Sequence, residues 1–169
     1  MTEEHAPNPY AAPASDVSSG EVPAGITAFP RESTVLFFVL SIITLGIYAF
    51  YWGYDRTQIL NRVHAQNPVS PIVWQAAITL QILNLLSGFA DSLFGASNWW
   101  GDVSIGLNIV AIVANWVWVF SMRSRLNNVV GAVQGGDGWF KAVLTFLFGN
   151  LYLCYKINGN IDRAGERMT

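Results

Sequence analysis

Four long apolar segments follow one another along the chain after a polar beginning. They comprise residues 33–54, 72–94, 103–122 and 139–157, and the first and third contain no charged side chain. An α-helix needs about 20 residues to cross about 30 Å of hydrocarbon, and each of the first three segments reaches that length. The pattern therefore predicts an all-α integral membrane protein with four transmembrane helices.

The fourth segment is the weakest candidate for a full span. Only 14 residues separate Lys141 from Lys156, which is roughly 21 Å of helix at about 1.5 Å per residue. Gly149 and Asn150 lie inside this segment and Gly46 lies inside the first, so each contains a point at which a helix can break. In an alternative arrangement these two segments are hairpins that enter and leave on the same side of the membrane.

Basic residues near the segment ends bear on orientation, because lysine and arginine favour the cytoplasmic side. The loop 95–102 holds no basic residue, so we expect it to face away from the cytoplasm. Four full spans would leave five basic residues inside and four outside, whereas the hairpin arrangement places all nine inside. The charge pattern therefore keeps the hairpin arrangement open as the alternative to four spans.

The ends of the chain are polar. Residues 1–32 hold five of the seven prolines and five acidic side chains against one base, Arg31. Such a segment cannot bury enough apolar surface to offset its ordering entropy. We therefore predict a disordered N-terminal tail over 1–32, a helical membrane domain over 33–158 and a short C-terminal tail over 159–169.

Composition excludes several classes of function. The chain is 52% apolar and 12% charged with a net charge of −2, so it lacks the basic face that nucleic-acid binding needs. One cysteine and two histidines cannot supply a four-ligand zinc site without several carboxylates. The sequence contains no glycine-rich phosphate loop, no HExxH and no Gly-x-Ser-x-Gly. We expect neither catalytic residues nor a metal or cofactor, and hence no enzyme.

Two polar stripes lie inside the second and third segments. Each stripe repeats at steps of three and four residues, so its members share one helical face. When the two segments are folded back to back, the depths match in pairs: Asp91 with Ser104, Asn84 with Asn108, and Gln81 with Asn115. Polar groups in hydrocarbon are costly unless they are paired. We expect these faces to meet and bond the helices, and a hydrated path for a small solute is the alternative.

Basic side chains flank the first and third segments. Four arginines are candidates for contact with anionic lipid head groups or a partner protein: Arg56, Arg62, Arg123 and Arg125. The expected partners are the lipid bilayer and either another membrane protein or a second copy of this chain.

A weak internal repeat relates the first and third segments. Trp52 precedes Leu60-Asn61 and Trp118 precedes Leu126-Asn127, with nine residues from tryptophan to asparagine in both cases. The two segments run in the same direction if all four span, and a duplication would give them a common plan.

The stretch Leu40 to Trp52, LSIITLGIYAFYW, followed by a charged helix reaching Leu60-Asn61, resembles the first helix of an uncharacterised bacterial family, domain of unknown function 4234. The later pieces LNNVV and LYLCYKIN are similar to the closing half of that family, so the resemblance extends from about Pro30 to Asp162. It implies a multi-helix bacterial membrane domain and implies no activity. We expect a multi-pass protein of the bacterial inner membrane. We expect a structural or interaction role with protein or lipid, and the alternative is a small channel or transporter subunit.

Overall fold

A computed structural model describes residues 25–94 and 98–166, and within these residues the regular secondary structure is helical. Residues 1–24, which make up most of the predicted tail, lie outside the described residues. A single 3₁₀ turn, Ile26–Ala28, precedes five α-helices. The helices are α1 Thr34–Ile43, α2 Ile47–Val63, α3 Pro71–Phe94, α4 Asn98–Val130 and α5 Ala142–Glu166.

The first apolar segment is not one span but two helices joined by a sharp turn. Helix α1 ends at Ile43, and the backbone then takes positive φ at Leu45 (51°) and Gly46 (91°). Left-handed backbone cannot continue a right-handed helix, so the chain changes direction there. As a result Phe37 of α1 packs edge-on against Trp52 of α2, with their ring centroids 5.1 Å apart. The prediction of a span over 33–54 is corrected to a helical hairpin.

The fourth apolar segment also turns back on itself. Helix α5 is broken at Gly149, where φ is 50° and ψ is −128°. The halves 142–148 and 150–166, called α5a and α5b below, lie beside each other. The Asn160 side chain donates to the Gly138 carbonyl over 3.2 Å, and the Lys141 backbone N–H donates to the Tyr152 hydroxyl over 3.0 Å. The predicted span over 139–157 is therefore a second short hairpin.

Helices α3 and α4 are the long elements. They are the two helices of the described residues that are long and apolar enough to cross a membrane, over Pro71–Leu93 and Val103–Val130. Only 6% and 17% of their most apolar windows are buried, whereas the core helix of a soluble protein would be mostly buried. The structure thus has two candidate spans instead of four, and both segments that fold back are those named in the hairpin alternative.

Helices α3 and α4 pack against each other as a long hairpin, so in chain order the first hairpin is α1–α2, the second is α3–α4 and the third is α5a–α5b. The open ends of the three hairpins meet at one end of the molecule, called the base below. Arg125 of α4 bonds Asn67 of the loop 64–70, and Arg31 pairs with Asp162 of α5b. The last part of the predicted N-terminal tail is folded here, because Ile26 and Phe29 are buried in the core. The predicted C-terminal tail is helical as far as Glu166. Residues 25–32 and 159–166 are therefore folded, and the rest of both predicted tails lies outside the described residues.

Candidate functional site

An asparagine at the end of α2 holds the segment that leads into α3. The Val69 backbone N–H donates to Asn61 Oδ1 over 2.7 Å, and Asn61 Nδ2 donates to the Val69 carbonyl over 3.2 Å. One planar amide thus satisfies both backbone groups of a residue that is completely buried. Val69 is two positions before the first residue of α3, so the contact fixes where that helix begins.

The same two-bond contact occurs twice more. Asn127 at the end of α4 accepts from the Phe140 N–H over 2.8 Å and donates to its carbonyl over 3.4 Å. Asn158 in α5b accepts from the Glu32 N–H over 3.2 Å and donates to its carbonyl over 2.6 Å. Glu32 and Phe140 also lie two positions before their helices begin, at Thr34 and Ala142.

Together the three asparagine clamps form a closed ring at the base. The first hairpin clamps the segment leading into the second, the second clamps that leading into the third, and the third clamps that leading into the first. The buried residue that precedes each asparagine is aliphatic: Leu60, Leu126 and Ile157. The ring therefore couples three hairpins of unequal length, and its closure depends on α5b.

The sequence repeat contained two members of this ring and missed the third. Asn61 and Asn127 each follow a tryptophan by nine residues, but the equivalent position before Asn158 is Gly149, the break in α5. The signal that the three share is a buried aliphatic residue followed by asparagine at the end of a hairpin. That signal is too short to be distinguished in the sequence alone.

An ion pair lies next to the third clamp. Arg56 Nη2 is 2.7 Å from Glu32 Oε2, and Arg56 Nη1 is 2.9 Å from Asp55 Oδ2. The Tyr48 hydroxyl donates to the other oxygen of Glu32, and the guanidinium lies over the Trp52 ring, 5.4 Å from its centroid. Arg56 was a candidate for contact with lipid head groups or a partner protein, and its side chain is only 4% exposed. It holds the beginning of α1 against α2.

The other three candidate arginines differ in whether their side chains bond the loops of the base. Arg123 donates from Nε to the Phe140 carbonyl over 2.8 Å and lies over the Trp139 ring. Arg125 donates to the Asn67 carbonyl and to the Ser121 side chain over 2.8 Å and 2.6 Å. Arg62, at the last turn of α2, is exposed. Two of these three side chains therefore fix loops of the base, and Arg62 faces outward.

The polar stripes of α3 and α4 meet at the level of Asp91. Ser104 donates to Asp91 Oδ2 over 2.9 Å, and the Ser87 hydroxyl lies 2.7 Å from that of Ser104. Asn84 and Asn108 line one cleft of about 320 Å³ with these serines, and no hydrogen bond joins the two amides. Gln81 lines a separate groove between α2 and α3. Asn115 lies deeper in α4, and its buried Oδ1 has no hydrogen-bond partner.

The cleft is closed towards the base. Ala77 of α3 and Ala111 and Trp118 of α4 are completely buried below it. The Trp118 indole N–H donates to Thr57 of α2 over 3.0 Å, which fixes that ring in the core. The cleft is therefore a recess in the side of the helix pair, and packed side chains separate it from the base.

Cys154 is buried in α5b beside the beginning of α1. Its sulfur lies 4.0 Å from the Thr34 hydroxyl, and burial raises the pKa of the thiol to about 11. The thiolate is the reactive form of cysteine, so this residue is a poor nucleophile at neutral pH and acts as an apolar packing group. No group of three His, Cys, Asp or Glu side chains that could hold a metal ion occurs in residues 25–94 and 98–166.

A family model described as domain of unknown function (DUF4234) matches residues 32–128. The chain belongs to this family. The matched region runs from Glu32 to Asn128, so it contains the first clamp and Asn127, whereas Phe140 and all of α5 lie outside it. The match is thus shorter than the resemblance, which reached Asp162. No curated protein and no solved structure matches the chain.

Proposed function

We propose that this protein is a structural component of a bacterial inner membrane that widens one leaflet of the bilayer. Helices α3 and α4 span the membrane, while the α1–α2 and α5a–α5b hairpins insert from the base into the leaflet on that side. The observation that carries the proposal is that the molecule is wider at the base than at the far end. Towards the base, α1, α2, α5a and α5b lie beside α3 and α4, and of the described helices α3 and α4 are the two that continue to the far end. The proposed role is non-enzymatic.

Helix lengths support partial insertion of the two short hairpins. Helix α1 has 10 residues and α5a has seven, which correspond to about 15 Å and about 10 Å of the roughly 30 Å of hydrocarbon. Their tips are apolar and open: Leu45 is 84% exposed, and Phe146, Leu147 and Phe148 are exposed as well. Insertion into lipid would cover these side chains, which would otherwise be an aggregation hazard in water.

The distribution of basic residues supports an orientation in the membrane. Every lysine and arginine of the described residues belongs to α2, to the ends of α4 and α5 near the base, or to the segments that lead into α1 and α5. Under the positive-inside rule this end faces the cytoplasm, and the short connection between α3 and α4 faces the other side. The protein is then a multi-pass protein with two spans and with both described ends on the cytoplasmic side.

A protein that is wider in one leaflet prefers a bilayer in which that leaflet is convex. Insertion of apolar side chains at the head-group boundary depends on curvature for the same reason, since a convex leaflet offers more packing defects. The transport alternative has less support. The polar cleft beside Asn84 and Asn108 ends at buried Ala111 and Trp118 instead of continuing to the base.

Cysteine labelling tests the arrangement of the spans. In a Cys154→Ser background, single cysteines at Ala14, Ser97 and Val133 are treated with a membrane-impermeant thiol reagent in intact cells. We expect Ser97→Cys to react in intact cells and the other two only after permeabilisation, because two spans place the tail and the base together. Four full spans would instead place Ala14 on the same side as Ser97. Labelling of both in intact cells would therefore overturn the arrangement.

Sorting between vesicles of different diameter tests the function itself. Protein reconstituted with its base outward should be enriched on the smallest vesicles. Leu45→Asp should reduce this enrichment, since an aspartate at hydrocarbon depth costs about 3 kcal/mol and expels the hairpin tip. The matched control is Val133→Asp, because Val133 is equally exposed, at 81%, but lies in the loop at the base. A wild-type distribution independent of vesicle diameter would contradict the proposal.

A further inference from the structure

A polar cleft of about 690 Å³ lies at the base between the beginning of α1 and helix α5b. Three basic side chains line it: Arg31, Lys156 and Arg163. Two acidic side chains also line the cleft, and both are paired. Glu32 bonds Arg56 in the core, and Asp162 bonds Arg31 across the cleft over 3.2 Å. The cleft therefore keeps an excess of positive charge at the level where the hairpins leave the core.

Electrostatics within the cleft favour an anion. Partial burial lowers the pKa of Lys156, and the nearby positive charge of Arg163 lowers it further, whereas the Asp137 carboxylate raises it and Lys141 adds a smaller lowering. Lys156 donates to the Asp137 backbone carbonyl, and the Asp137 carboxylate, which does not line the cleft, offsets part of this repulsion. An anionic group between Lys156 and Arg163 would relieve the repulsion and form charge-assisted hydrogen bonds with both.

An apolar groove continues directly from the polar cleft. The two share Thr34 and Tyr155, and from there the groove runs between α1 and the break in α5. Its other walls are apolar or aromatic: Val35, Phe38, Phe148, Leu151 and Tyr152. Its volume is about 440 Å³, and Tyr155, which is exposed, stands at the junction. Tyrosine is typical of the boundary between hydrocarbon and head groups.

We propose that the cleft and the groove together bind one anionic phospholipid. Its phosphate lies between Lys156 and Arg163, and an acyl chain follows Val35 and Phe38 towards the break in α5. The site sits where the first and third hairpins meet, so a bound lipid would join them beside the Asn158 clamp. This inference rests on the proposed insertion of the hairpins into the membrane.

The site is tested with purified full-length protein in detergent, titrated with phosphatidylglycerol or phosphatidylcholine and examined by native mass spectrometry. We expect phosphatidylglycerol to be retained at lower concentration than phosphatidylcholine. Arg163→Gln should weaken that retention about fivefold, the factor expected for one basic side chain at an anionic lipid. Lys156→Gln should act in the same direction. Arg62→Gln is the matched control, because it removes an exposed charge of the base outside the cleft.

A second matched pair of variants tests the apolar groove. Val35 and Ile72 each stand three positions after a clamped residue, at 72% and 76% exposure, but only Val35 lines the groove. Val35→Trp should fill the groove and lower retention of both lipids, and Ile72→Trp should leave retention unchanged. Thermal melting of each variant without lipid identifies any variant that fails to fold. If one variant of the groove pair fails to fold, the charge variants and their control decide the result, and the reverse also holds.

The possible outcomes distinguish a lipid head group from a free phosphate ion as the occupant of the cleft. Inorganic phosphate is added as a competitor, and a lipid site predicts that it displaces phosphatidylglycerol only weakly. Strong displacement together with no effect of Val35→Trp would mean that the cleft binds a free anion, and the proposal would be overturned. Equal losses in Arg163→Gln and Arg62→Gln would indicate general attraction of the base for anionic lipid and would also overturn it. Vesicle sorting does not depend on these variants, so failure of this site leaves the curvature result to be judged separately.

Discussion

Replacing Asn127 with alanine should lower the free energy of unfolding by about 2–3 kcal/mol. The change removes both bonds to Phe140 and leaves its backbone N–H buried without a partner, which costs about 1–3 kcal/mol. The Phe140 carbonyl keeps its bond from Arg123, so the loss falls on the donor. The measurement is thermal or denaturant unfolding in detergent. Asn128→Ala is the control, because Asn128 is the exposed neighbour, and it should change stability by less than about 0.5 kcal/mol.

The other two clamps should give smaller losses. Asn61 and Asn158 are only partly buried, whereas Asn127 is 4% exposed, so water can replace some of their bonds. Asn158→Ala should also loosen the beginning of α1, because Asn158 holds both Glu32 and the Thr34 hydroxyl. Equal stability of the Asn127→Ala and Asn128→Ala variants would show that the clamps do not hold the hairpins together.

The helical class and the two long helices could be predicted because long apolar runs are a strong signal. The predicted segment 72–94 differs from α3 by one residue at its start, and 103–122 lies wholly inside α4. The number of spans could not be predicted in the same way. A hairpin tip that enters lipid needs the same apolar side chains as a helix that crosses it, so hydropathy does not distinguish 33–54 from a true span. What distinguishes them is positive φ at Leu45, Gly46 and Gly149, and glycine permits such backbone without requiring it.

The candidate side chains could be found by type, but their roles depend on packing. Arg56 and Arg62 both follow the first apolar segment within eight residues and carry the same charge, yet one is buried against Glu32 and the other is exposed. The difference arises from the segment 25–32, which folds back onto α2 and α5. A proline-rich acidic composition gave no sign that Ile26 and Phe29 would be buried. Contacts between residues more than 100 positions apart, such as Glu32 with Asn158, leave no local pattern in the sequence.

Removing the carboxylate of Glu32 should be the most damaging single change at the base. Glu32→Gln leaves the buried Arg56 with Asp55 as its remaining acidic partner, and breaking a buried ion pair from one side costs about 3–5 kcal/mol. We expect a loss near the lower limit, because the Glu32 side chain is 20% exposed and Asp55 stays in place. The control is Arg31→Gln. It breaks the neighbouring exposed pair with Asp162, which should be worth at most about 1 kcal/mol.

A double-mutant cycle separates the ion pair from the rest of the network. Arg56→Met removes the buried charge and keeps a long apolar side chain against Trp52. The double variant Glu32→Gln/Arg56→Met has no buried uncompensated charge, because the Asp55 carboxylate that it leaves is 46% exposed. It should therefore be more stable than Glu32→Gln alone, with a coupling energy of about 2 kcal/mol. Additive losses would mean that Arg56 is compensated by Asp55 alone. Glu32 would then hold α1 through the Tyr48 hydroxyl and the Asn158 clamp, and the strength of the closed ring would rest on its asparagines.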